Sequence, residues 1–153
     1  NLPKRELLAR FREGASQGRS ACVLVASASF WEGIDIPGDE LALVVIDKLP
    51  FPPPDDPLIE ARSKRLEQGG KSSFIDYFVP EATVSLKQGA GRLIRRESDV
   101  GVLVVCDARL TGMGYGKKLI AALPPMRRLE GHAEFVEVLG LLTRPSTTEQ
   151  ALS

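Results

Sequence analysis

Histidine and cysteine are scarce. His132 is the single histidine, and Cys22 and Cys106 are the two cysteines in 153 residues. A histidine-rich metal site and a disulfide framework are both excluded by that count. Both cysteines sit inside apolar runs that read as strands, so buried thiols are expected. No apolar run approaches about 18 residues, so no helix that spans a membrane is expected. No secretory leader pattern stands at the first residues either, and a cytoplasmic location is expected. Excess charge is missing too: 20 basic and 20 acidic residues cancel. A protein that held a polyanion by bulk charge would be more basic. Any such contact must therefore be a local patch, or shared with another part of a larger protein. The chain opens on Asn1, directly in helical sequence, and reads as a fragment of something longer.

Hydrophobic residues make up 43% and charged residues 26%, which suits one soluble domain with a real core. Pro3 to Glu13 has helical spacing through Leu7, Leu8 and Phe11. Ala21 to Ala26, Leu41 to Ile46 and Val100 to Cys106 are short, continuous, valine-rich runs. Each predicts a buried strand. Leu58 to Gln68, the stretch from Pro80 to about Arg96, Lys117 to Leu123 and Glu130 to Leu142 predict helices. Pro50 to Pro57 must be extended and stiff, because proline fixes φ and restrains its predecessor. Ser73 to Val79 is aromatic and could be helix or strand. Strands alternating with helices imply an α/β fold with a parallel sheet covered by helices on both faces. In such sheets ligands gather at the carboxyl ends of the strands. Ser27 to Gly38 and Asp107 to Gly116 leave two such ends. Residues 1–143 are expected to form the domain and 144–153 a flexible tail.

A phosphate-cradling loop requires G-x-x-x-x-G-K-[ST]. The nearest stretch, Thr111 to Lys118, has Thr111 in place of the first glycine and Lys118 in place of the hydroxyl. Gly112, Gly114 and Gly116 are instead expected to form a flexible turn. Asp39-Glu40 precedes its strand, so no strand ends in paired acids that could hold magnesium. The chain lacks the parts for complete ATPase chemistry of that type.

What it has is Gln88-Gly89-Ala90-Gly91-Arg92-Leu93-Ile94-Arg95-Arg96. On a continuous helix Gln88, Arg92 and Arg95 share one face, and Leu86, Ala90, Leu93 and Ile94 the opposite one. Gly91 would let a ligand approach the backbone. Guanidinium forks bond phosphate oxygens at two points and keep their charge. Arginines without a phosphate loop suit the trans-acting half of a phosphoryl-transfer site. A solvated helix face is the plainer alternative.

Two segments together carry a resemblance. Ser29-Phe30-Trp31-Glu32-Gly33-Ile34-Asp35-Ile36-Pro37-Gly38 resembles motif V, and Q-x-x-G-R-x-x-R resembles motif VI, of DinG/XPD-type superfamily 2 DNA helicases. The nearest branch is the bacterial DinG and YoaA one. K-L-P-F-P-x-P from Lys48, D-x-R-L from Asp107 and Y-G-K-K-L from Tyr115 also fit. The resemblance covers roughly residues 5 to 125 and implies the second RecA-like motor lobe of an ATP-dependent DNA helicase, without the strand that opens such a lobe.

By that resemblance, Arg95 and Arg92 would reach the ATP γ-phosphate across an interlobe cleft, with Arg95 as the finger. Gln88 and Gly91 would serve nucleotide binding or coupling, as would Asp35, Glu32 and Gly33 of the motif V loop. Ser29, Phe30, Trp31 and Arg96 would contact DNA. Packing by Phe30 and Trp31, a turn cap by Asp35 and a structural pair by Glu32 stay open as alternatives. The resemblance places ATP with Mg2+ mainly on the upstream RecA-like lobe of the same chain, and an iron–sulfur cluster only there. No metal site is expected here. Implied partners are single-stranded or forked DNA, that upstream lobe, and a replication or repair protein. A non-catalytic module that docks DNA or proteins, and a nuclease that kept the motor fold, are the rival readings.

Overall fold

The computed structural model describes residues 3–16, 22–27, 41–94 and 99–142. Its elements in chain order are α1 (Lys4–Ser16), β1 (Leu43–Ile46), α2 (Pro57–Gln68), a π-helix (Phe74–Phe78), α3 (Val79–Ala90), β2 (Val102–Val105), α4 (Arg109–Gly112), α5 (Gly116–Ala122) and α6 (His132–Leu142). They divide into two units. One holds residues 1–43, 92–102 and 127–153, the other 44–91 and 103–126.

β1 and β2 are hydrogen-bonded neighbours. The Val102 N–H donates to Ala42 O and the Cys106 N–H to Ile46 O, both at 2.9 Å. The two bonds advance in the same direction along both strands by the same number of residues, so the pair is parallel. This agrees with the α/β architecture expected from valine-rich runs alternating with helices.

In the second unit the core is built around α3. Val79, Ala82, Leu86 and Ala90 are buried at spacings of three and four, one stripe of a helix. α3 packs on the π-helix and on α5, where Leu119 is fully buried. Pro80 lies in the first turn of α3, where its missing N–H costs nothing. The aromatic stretch that could have been helix or strand is the π-helix, in which the Val79 N–H reaches back to Phe74 O. In the first unit Leu93 and Val102 are buried.

α2 buries no residue completely, so its ends matter more than its faces. The Asp56 carboxylate accepts the Leu58 N–H at 2.8 Å and the Ile59 N–H at 3.2 Å. Pro57 follows as the first helical residue. Asp56→Ala is therefore expected to cost about 1 kcal/mol. Denaturant unfolding checks this, and Asp56→Asn should recover most of the loss.

Three expectations change. Residues 22–27 carry no regular structure, and Val23 and Val25 are 84% and 91% exposed. A continuous apolar run becomes a buried strand only where neighbours cover it. Among the described residues the sheet has two strands and neither pairs with this run. Cys22 and Cys106 are both exposed thiols rather than buried ones. Cys106 follows the last residue of β2, so its strand-like sequence outruns the strand. Finally, α3 stops at Ala90 instead of about Arg96. Gly89 and Gly91 weaken helix there by about 1 kcal/mol each relative to alanine.

Candidate functional site

α3 delivers the arginine segment. Its buried stripe anchors one side, and Gln88 is exposed in the last turn, as the helical pattern predicts. Gly91 caps the helix, its N–H bonded to Lys87 O at 2.8 Å. A β-carbon there would stand 3.2 Å from that carbonyl, closer than most side chains settle, so the glycine keeps the exit tight. Its φ of −66° and ψ of −10° remain right-handed. Arg92 follows in a turn, half-buried. It is thus carried just past the helix rather than on it. Gln88 and Gly91 belong to the second unit and Arg92 to the first. Arg95, Arg96, Ser29, Phe30, Trp31, Glu32, Gly33 and Asp35 lie outside the described residues.

A second constellation stands at the carboxyl end of the parallel strands, all within the second unit. Asp107 follows β2, and its Oδ2 accepts the Leu49 N–H, just beyond β1, at 2.9 Å. Oδ1 accepts the Arg109 N–H at 3.0 Å and Arg109 Nε at 2.9 Å. Arg109 Nη2 lies 2.5 Å from Oδ2, and the Asp107 side chain is only 7% exposed. The Arg109 bond, then the backbone donors of Leu49 and Arg109, hold this carboxyl far below the usual carboxylate range against the opposing effect of burial. The same bond raises the pKa of Arg109.

Arg109 also lies over the Phe51 ring, 5.3 Å from its centroid. Phe51 stacks on Phe74 at 5.7 Å, and Tyr115 meets both edge-on at 5.9 and 5.3 Å. The arrangement locks the loop after β1 to the loop after β2 and braces a guanidinium against an aromatic cluster. Nε and Nη2 are engaged with Asp107, and among the described residues Nη1 makes no hydrogen bond. Sequence reasoning placed Asp107 and Arg109 at a strand end and quoted Phe51 and Tyr115 only within family motifs, but did not bring them together with each other or with Phe74. The signal was weak, because three aromatics spread over 65 positions show no period.

A family model for the helicase C-terminal domain matches residues 1–126. The chain belongs to that family. This helicase C-terminal domain is similar to the ATP-dependent DNA helicase YoaA of Escherichia coli (strain K12), at 50% identity over 119 residues, covering 78% of this chain and 19% of the relative. It is 44% identical over 106 residues to the ATP-dependent helicase DinG of Mycobacterium tuberculosis (strain ATCC 25618 / H37Rv), covering 69% and 16%. A third relative is the 3'-5' exonuclease DinG of Bacillus subtilis (strain 168), at 39% over 127 residues, covering 78% and 14%. The chain spans less than a fifth of each of these proteins. The resemblance of the chain to DinG and YoaA is thereby shown, and the α/β fold with its parallel strands is RecA-like.

Among the described residues no three histidine, cysteine or acidic side chains gather as metal ligands. Asp107, already bound to Arg109 and two N–H groups, does not fit a magnesium ligand. Two cysteines do not fit a four-thiolate iron–sulfur cluster. Among the described residues no helix is long and apolar enough to cross a membrane.

Proposed function

We propose that this domain is the second motor lobe of an ATP-dependent DNA helicase, completing an ATP site whose phosphate-binding parts lie on another lobe. The observation that carries the reading is the glycine-capped end of α3. A helix seated by Leu86 and Ala90 ends at Gly91, immediately before the arginine segment. ATP bound on the partner lobe supplies the phosphoryl group and its anionic charge. Arg92 and Arg95 act on that charge, with Arg95 as the finger and Gln88 bonding the nucleotide. Cancelling charge on the transferred group is the largest contribution a protein makes to such chemistry.

Because those arginines act only when the lobes close, hydrolysis depends on closure. Asp35, Glu32 and Gly33 couple that state to DNA, which Ser29, Phe30, Trp31 and Arg96 contact. Asp107 positions the strand-end loops in this scheme. Support comes from the family match, the motif spacing and the names of the relatives. Of the three relatives described, the two with higher identity are named helicases, which favours the motor over the nuclease. Steady-state ATP hydrolysis by the intact protein tests the reading. Single-stranded DNA should stimulate it, and hydrolysis should separate a forked duplex. A protein that binds DNA without hydrolysing ATP would instead be the docking module.

A further inference from the structure

The second unit contains a cleft of about 460 Å³ between α2 and the π-helix that shares no residue with either constellation above. Arg62, Arg65, Leu66, Lys71, Asp76 and Tyr77 line it. Arg62 and Arg65 lie one turn apart on the same face of α2. The pKa of Arg62 is raised first by Tyr77 and then by Glu81 and Asp56, which both act on it, and the other acids nearby are engaged. Glu60 pairs with Lys64 at 2.5 Å, Glu67 accepts the Ser73 hydroxyl at 2.6 Å, and Asp76 accepts the Ser72 N–H at 3.0 Å. Arg62 donates to the Tyr77 hydroxyl at 3.3 Å and lies 5.8 Å from the ring centroid. Among the described residues the side chains of Arg65 and Lys71 have no hydrogen-bond or ion-pair partner.

Three cations, Arg62, Arg65 and Lys71, line the cleft against one acid, Asp76, which is already engaged. Cations also suit the negative end of α2. Here, however, that end is already satisfied: the Gly69, Gly70 and Lys71 N–H groups take the carbonyls of Arg65, Leu66 and Glu67. We infer that this cleft holds the phosphodiester backbone of single-stranded DNA, with Arg65 and Lys71 on phosphates and the Arg62–Tyr77 pair flanking them. Guanidinium forks match phosphate better than an ammonium alone does, and an aromatic ring beside cations is the pattern of strand-tracking grooves. The inference rests on the helicase reading, and it adds a contact outside both motifs.

The test uses the intact protein with Arg65→Ala and Lys71→Ala combined. Both side chains are exposed, and thermal unfolding confirms that the variant is folded. Binding of a labelled oligothymidine is followed by anisotropy between about 50 and 200 mM salt. Affinity should fall about 10-fold at the lower salt, and the salt slope should shrink by about 1.4, the loss of two phosphate contacts on a single strand. Arg65→Lys with Lys71→Arg should restore the slope. Unchanged affinity and slope, with wild-type protein still binding DNA and hydrolysing ATP, would overturn the cleft and leave the helicase reading standing. Unchanged DNA binding with weakened binding of a polyglutamate peptide would overturn it in favour of an acidic partner. Wild-type protein that neither binds DNA nor hydrolyses ATP would overturn both.

Discussion

Arg95→Ala in the intact protein should lower DNA-stimulated ATP hydrolysis by about 10³-fold or more. Most ATP binding should survive. The reason is the timing of the charge. A finger arginine bonds the phosphoryl oxygens most strongly as they approach the transition state, so its loss falls on kcat rather than on ground-state affinity. Arg95→Lys should rescue little, because an ammonium keeps the charge but not the two-point fork. Steady-state hydrolysis together with equilibrium binding of a fluorescent ATP analogue separates the two effects. Turnover at the wild-type rate would end the assignment of Arg95. A rise in nucleotide Kd with kcat intact would make it a binding residue instead.

The second large effect is on stability. Asp107→Asn should destabilise the domain by about 3 kcal/mol, because it breaks a nearly buried, charge-assisted network. Asp107 accepts from Leu49 and Arg109, so its loss frees both loops at the strand ends. The pH dependence has a definite sign. The folded carboxyl is held far below its ordinary value, so its contribution is complete above about pH 4 and fades as pH falls below that. The fading should proceed at up to about 1.4 kcal/mol per pH unit. Denaturant unfolding of both proteins at pH 7 and pH 3 measures it. The gap should be about 1 kcal/mol narrower at pH 3. A gap that widens toward acid would show that Asp107 is not held as a carboxylate.

Much of this was legible in the residues. LALVVI and VGVLVVC announced the two strands because valine-rich runs bounded by polar loops have few other uses. ACVLVA carried the same signal, yet Cys22 to Ala26 lie outside the two strands described, and Val23 and Val25 are exposed. Strand propensity reports readiness for burial, and whether a neighbour arrives is a tertiary matter. The anchoring stripe of α3 was equally plain from Leu86 and Ala90. Its end was not, since the period of apolar residues continues through Leu93 and Ile94 after the backbone has been capped at Gly91. Of the candidate site, the arginine segment was visible as a pattern. The tie from Asp107 to Leu49 was invisible, because 58 residues separate its ends.

Gly116 has a meaning that the glycine-rich run obscured. A β-carbon at Gly112 or Gly114 would meet nothing nearby, but one at Gly116 would collide with the Leu110 carbonyl. The elbow joining α4 to α5 is therefore cast in main chain against main chain. Its angle has no side-chain shim that could be thickened or thinned. Any side chain at position 116 would have to pry the two helices apart.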